Sequence, residues 1–377
     1  MFGNRVTLFK LLGFEVRLDS SWIVLAVLIT WSLAKGIFPA YYEGMPAANY
    51  WAMGVAGAVG LFLSIILHEL SHSLVARRFG IPMRGITLFI FGGVAEMSEE
   101  PPSAKAEFLT AVIGPVSSLL TAAAFYGLLR AGESAGWPPA VNGVLFYLVW
   151  VNVILALFNL LPAFPLDGGR VFRSALWLWK KDLRWATMIS SRVGSAFGIV
   201  FIALGLWEII EGNFIGGLWQ AMIGLFLRGA ARSSYRQVLT RDVLAGLRVS
   251  RFMTPDPVVI PPDITLQAFV EEYLYRTHHQ IYPVVRAGEL AGCLTVRSLR
   301  DVPRADWPRR TVGEVAARCD AATVIGPDTD ALATLALMNE TGNSRLLVVE
   351  NGRLAGIVTL KDLMEVLALR MEMEGEK

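Results

Sequence analysis

Long apolar runs separated by short polar connections fill the first two thirds of the chain, and then they stop. A membrane-spanning helix needs about 20 mostly apolar residues. Runs of that kind lie near 20–38, 50–76, 105–130, 142–163, 194–211 and 214–230. Beyond residue 235 the apolar positions are spaced as in an ordinary soluble α/β sequence. The pattern predicts a polytopic α-helical membrane domain over 1–235, a linker over 236–247 and a soluble region after it. Arg5, Lys10 and Arg17 precede the apolar stretch Trp22–Leu33 as they would in a secretory signal, but no small-residue cleavage site follows. The first run is therefore expected to remain as a span.

The stretch Pro82–Pro102 is too short and too rich in glycine to span. Its centre, LFIFGGVAEM, is two β-prone runs around Gly92-Gly93 and reads as a hairpin. Irregular backbone at membrane depth survives only where protein or a water-filled cavity surrounds it. A re-entrant β-hairpin beside a functional site is the expectation.

The soluble region repeats itself. VVRAGELAGCLTVRSL at 284–299 and VVENGRLAGIVTLKDL at 348–363 align at one constant offset, and VIPPD at 259–263 aligns with VIGPD at 324–328. Each copy reads as strand, helix, strand, turn, strand, helix. Two α/β units over 248–302 and 311–370 are expected to pack together.

Composition adds contrast. The mean hydropathy is +0.50 with 18% charged residues, against about 25% in a typical soluble protein. A net charge of +2 implies no nucleic-acid surface. With the N-terminus inside, the inner segments collect Arg5, Lys10, Arg17, Arg77, Arg78, Arg84, Lys105, Arg170, Arg173, Lys180, Lys181, Arg184, Arg192, Arg228, Arg232, Arg236 and Arg241. The outer segments keep only Lys35 and Arg130. That asymmetry predicts both termini in the cytoplasm. The two cysteines, Cys293 and Cys319, form no CxxC pattern and fit a reducing compartment.

Chemistry concentrates in the second apolar run. His68-Glu69-Leu70-Ser71-His72 is HExxH, and on a helix positions i and i+4 share a face, so both imidazoles reach one metal ion. Glu69 lies beside them as a candidate general base. Ionisable residues inside a span are costly and mark function. A catalytic zinc takes a third protein ligand and keeps one position open. The other histidines, His278 and His279, lie in the soluble repeat with both cysteines, so the third ligand is a carboxylate or comes from another chain. Most carboxylates of the membrane half fall in loops or at span ends. Asp167, in NLLPAFPLDGG at 159–169, follows a long apolar helix that Pro162 and Pro165 would break. It is either a ligand on an unwound segment or a cap for the next helix.

At this point residues 1–230 resemble the site-2 protease family of intramembrane metalloproteases. The marks are HExxH in a span, NxxPxPxxDG from Asn159 to Gly168, the FGG at 91–93 and Gly114-Pro115-Val116-Ser117-Ser118. The resemblance implies one zinc per chain held by His68, His72 and Asp167, with Glu69 as base and Asn159 positioning the substrate carbonyl or stabilising the oxyanion. It also implies a transmembrane protein substrate and a plasma or inner membrane location. The hairpin could hold an unwound substrate strand by edge pairing.

The repeat resembles a pair of CBS domains, a family that often binds adenosine nucleotides (ATP, ADP or AMP). Its G-h-x-[ST]-x-x-D motif is complete in the second copy, Gly356 to Asp362 through Thr359. In the first copy, Gly292 to Ser298 through Thr295, a serine stands in place of the aspartate. One competent nucleotide site is expected, with a nucleotide-free module forming homodimers or higher oligomers as the alternative. His278-His279 reads as exposed polar sequence. The rival functions are a nucleotide-regulated transport or channel protein and a catalytically idle relative, and the intact Glu69 argues against the latter.

Overall fold

The computed structural model describes residues 5–90, 92–97 and 100–373. They fall into two compact units, Met1–Arg236 and Gln237–Lys377.

In the first unit the apolar runs are helices. α1 (Ser21–Ser32) passes through a π-helical turn at Leu33–Ile37 into α2 (Phe38–Tyr41). There follow α3 (Ala47–Arg78), α4 (Ala104–Ser134), α5 (Pro139–Asn159), α6 (Asp167–Lys180), α7 (Leu183–Ile210) and α8 (Phe214–Leu244). Ser21–Tyr41, α3, α4, α5, α7 and α8 are six stretches long and apolar enough to cross a membrane. Local chemistry sets their ends. Ser103 caps α4 by accepting from Ala106 N, and Asp182 caps α7 by accepting from Trp185 N. α5 stops at Asn159 rather than near 163, because the residue before Pro162 is pushed away from helical backbone. α7 begins well before 194, since its first turns carry Arg184 and Arg192 and so lie outside the apolar run. α8 runs on to Leu244 through most of the segment expected as a linker.

Glycines let α7 and α8 approach closely. A Cβ on Gly205 would meet Gly217 O, and one on Gly224 would meet Gly198 O. Small residues at such contacts are how apolar helices pack where water supplies no driving force.

The predicted hairpin is present as β3 (Met83–Phe89) and β4 (Gly92–Met97), antiparallel with Leu88 opposite Gly93. Phe91 of the FGG mark lies outside the described residues. The hairpin is half of a larger sheet that the apolar runs did not reveal. β1 (Arg5–Leu11) and β2 (Phe14–Asp19) turn through Leu12 and Gly13, both with positive φ, and β2 lies parallel to β3. The order is β1-β2-β3-β4, which leaves β4 at an edge. Lys10 and Arg17 both reach Glu15 on β2, at 3.1 and 2.8 Å. Hydrogen bonds, first from Arg17 and then from Lys10, hold the Glu15 carboxyl below its ordinary range. The inner face of the sheet buries Val16 and Leu88 against Ile65 and Ile66 of α3, and Phe14 and Ile86 against Leu70. These contacts bracket His68 along the same helix.

The second unit carries the repeat into three dimensions. β6 (Ile281–Arg286) and β7 (Glu289–Thr295) form one hairpin, and β9 (Arg345–Glu350) and β10 (Arg353–Thr359) form its counterpart. Both turns need positive φ, at Ala287-Gly288 and at Asn351-Gly352. β5 (Thr254–Pro255) and β8 (Val324–Ile325) complete the second sheet in the order β5-β10-β9-β8. Ile325 pairs in parallel with Val348, and Ile260 pairs in parallel with Val284, so the upstream repeat is also structural. Each copy closes its own apolar core, around Phe269, Tyr282 and Leu294 in one and Leu346, Val348 and Val358 in the other.

Candidate metal centre

Three buried acceptors meet between α3 and the start of α6. His68 and His72 share one face of α3 and are 3% and 4% exposed. Their Nε2 atoms are 3.2 Å apart, and Oδ2 of Asp167 lies 3.1 Å from each. Zinc bound tetrahedrally to nitrogen and oxygen at about 2.0–2.1 Å has ligand-to-ligand edges of about 3.3 Å. The triangle already has that size.

The second nitrogen of each ring is committed elsewhere. His72 Nδ1 lies 2.5 Å from the backbone carbonyl of Thr110, and His68 Nδ1 lies 2.9 Å from Oγ of Ser118, both on α4. A carbonyl only accepts, so His72 carries a proton on Nδ1 and points Nε2 at Asp167. Two imidazole nitrogens and a carboxylate oxygen converging on one point are a donor set for a cation. The residues fit zinc.

The loop that delivers Asp167 depends on glycine. A Cβ on Gly168 would strike the carbonyls of Leu160 and Leu161, and one on Gly169 would strike Ala163 and Phe164. The chain after α5 therefore folds back over the first turn of α6. Asp167 is the first residue of that helix, whose cap position is Leu166, so its carboxylate serves the imidazoles rather than the helix end. Gly114 plays a similar part on α4, since a Cβ there would fall on Nε2 of both histidines.

The chain resembles known proteins along most of its length. The model of peptidase family M50 matches residues 56–137 and 131–201, and that of the CBS domain matches 249–304 and 312–369. The protein named "Putative zinc metalloprotease Rip3" of Mycobacterium tuberculosis is 38% identical over 97% of this chain and 93% of its own length. The chain belongs to peptidase family M50. It is also 29% identical to zinc metalloprotease MJ0392 of Methanocaldococcus jannaschii, over 98% of both chains. The solved site-2 protease from the same organism is similar at a TM-score of 0.42 and 26% identity, covering 61% of this chain and 94% of that one. This M50 chain is a membrane zinc metalloprotease that carries a CBS pair.

The other expected residues of the M50 site are less closely gathered. Glu69 follows His68 on α3 and is half-buried, with the backbone of Gly93 on β4 packed against its side chain. Asn159 ends α5, and its Nδ2 donates to Leu155 O one turn back at 3.0 Å. The sequence assigns no role to the two holders of the imidazoles: Ser118 appears there only as the end of the mark Gly114–Ser118, and the carbonyl of Thr110 does not appear at all. Ser118 lies two turns after Thr110 on a face that includes Gly114.

In the second unit Thr359 and Asp362 cap each other. Thr359 Oγ1 accepts from Asp362 N at 3.2 Å, and Asp362 Oδ2 accepts from Thr359 N at 2.8 Å. Together they start α9 (Leu360–Met373), in the reciprocal manner of a capping box. Thr295 Oγ1 accepts from Ser298 N at 3.1 Å in the first copy. Thr295 also lines a cleft of about 810 Å³ with His278, His279, Arg297, Arg300 and Arg345. Thr359 and Asp362 do not line it. Thr295 of the incomplete motif, and the histidine pair read as merely exposed, thus face this cleft.

Proposed function

We propose that this chain hydrolyses peptide bonds in or beside transmembrane segments of membrane-anchored proteins. The observation that carries the reading is the acceptor triangle of His68, His72 and Asp167, held by α4 and set on a helix long and apolar enough to span. Zinc at that point supplies a Lewis acid that polarises the scissile carbonyl and activates water. Glu69, adjacent to His68 and half-buried, takes the water proton and passes it to the leaving amine. Asn159, once its amide leaves Leu155 O, orients the substrate carbonyl.

A transmembrane substrate arrives as a helix whose carbonyls are already bonded, so a segment must unwind first. β4 lies at the sheet edge with Gly93 against Glu69, which suits pairing of that segment as an added strand beside the base. In this reading the β3–β4 hairpin enters the membrane, both termini lie in the cytoplasm and the membrane is the plasma or inner membrane. The positive residues support that orientation.

The CBS pair regulates the protease by binding an adenosine nucleotide. The cleft around Thr295 suits its phosphates, with Arg297, Arg300 and Arg345 as cations. The pair also supplies a surface for homodimers.

Glu69→Gln tests the central claim on purified protein in bilayer nanodiscs, with a panel of transmembrane segments as substrates. Cleavage by the wild type should disappear in the variant while bound zinc stays near one per chain. Cleavage that persists in Glu69→Gln would sink the assignment of the base.

A further inference from the structure

Arg173 is 3% exposed in the membrane unit and plays no part in the chemistry above. A buried guanidinium is costly unless it is paired. Its partners come from α4, from α7 and from the segments that lead into α4 and α6. Nε donates to Glu107 Oε1 on α4 at 2.6 Å, and Nη2 reaches the same oxygen. Nη2 also donates to Glu100 Oε2 at 3.0 Å, and Nη1 donates to Thr187 Oγ1 on α7 at 3.4 Å. The guanidinium carbon sits 4.9 Å from the ring centroid of Phe164, three residues before Asp167. Glu107 is itself 0% exposed and lies one turn before Thr110, the residue that holds His72.

The arrangement is a poor device for stability alone. Oε2 of Glu107 is buried with no hydrogen-bond partner among the described residues, and apolar replacements of buried ion pairs are often neutral or stabilising. What the cluster does achieve is a fixed relation between two helices. One bears the carboxylate ligand, about 9 Å along α6 from Arg173 at 1.5 Å per residue. The other holds both imidazoles.

We infer that Arg173 is a positioning residue for Asp167. Its bonds to Glu107 and Glu100 lock α6 against α4, and this sets where the carboxylate stands relative to the two Nε2 atoms. The inference rests on the zinc-protease reading of the site and adds to it the group that holds the third ligand in place.

The test uses the full chain in detergent with three readouts: melting temperature, Zn²⁺ affinity by competition with a chromophoric chelator, and the visible spectrum after Co²⁺ substitution. Arg173→Met/Glu107→Met should melt near the wild type, bind Zn²⁺ about tenfold more weakly and shift the Co²⁺ bands. Arg173→Lys keeps the charge but not the fork that spans Glu107, Glu100 and Thr187, and should show the same loss. If the double variant folds with wild-type Zn²⁺ affinity and an unchanged Co²⁺ spectrum, Arg173 only packs and the inference is overturned. Should the double variant not fold, Arg173→Lys decides by the same two metal readouts. A wild type that binds no Zn²⁺ would bring down the zinc-protease reading itself, and this inference with it.

Discussion

Nδ1 of His72 donates to the backbone carbonyl of Thr110, and this bond decides which face of the ring meets Asp167. Because the acceptor is a carbonyl, the tautomer is imposed by the backbone of α4 rather than by a titratable partner. Nε2 is thus aimed at the shared point beside Asp167 by the fold itself. Preorganisation of this kind is what outer hydrogen bonds give to metal ligands.

Ser118 holds His68 through a side chain, so its share can be removed. Ser118→Ala should leave the fold intact and weaken zinc binding about tenfold, at the low end for loss of such a partner. Competition with a chelator of known affinity measures it. An unchanged affinity would mean that His68 needs no outside help.

Gly114→Ala should be far more severe. Its methyl would occupy the space of both Nε2 atoms. The variant should purify with little or no zinc by elemental mass spectrometry and show no proteolysis. Retention of one zinc per chain would show that α4 can retreat from α3.

Removal of cations from the CBS cleft should act on nucleotide binding alone. Arg300→Ala/Arg345→Ala takes two guanidiniums from the wall beside Thr295. Charge-assisted contacts are worth about 1.5–3 kcal/mol each, so ATP affinity should fall at least tenfold in equilibrium dialysis. Zinc content should not change. ATP binding that tracks Asp362→Ala instead would move the site to the second copy.

Gly205→Leu tests the contact between the last two spans. The side chain has no room against Gly217 and Ala221 of α8. Overpacking costs about 1–3 kcal/mol, read as a lower melting temperature in detergent, with zinc retained in the fraction that folds.

Legibility in the sequence followed how each element is encoded. The six spans were plain because an apolar run of that length has few other uses. Asp167 could be singled out because the membrane half holds only two histidines. The N-terminal hairpin was hidden by its charges. Arg5, Lys10 and Arg17 drew attention as cations, although Phe14, Val16 and Leu18 alternate as a strand should. α6 was missed because fourteen amphipathic residues give no span signal. Thr110 was beyond reach, since what it contributes is a carbonyl that every residue type possesses.

β4 closes one side of its sheet, and no further strand lies along it among the described residues. A row of main-chain donors and acceptors greets any extended polypeptide alike. If that row receives the substrate, the choice of what is cut shifts away from side-chain recognition by the protease and onto the guest. Helices that come apart readily at the right depth are cleaved, and those that stay wound pass by, whatever their side chains.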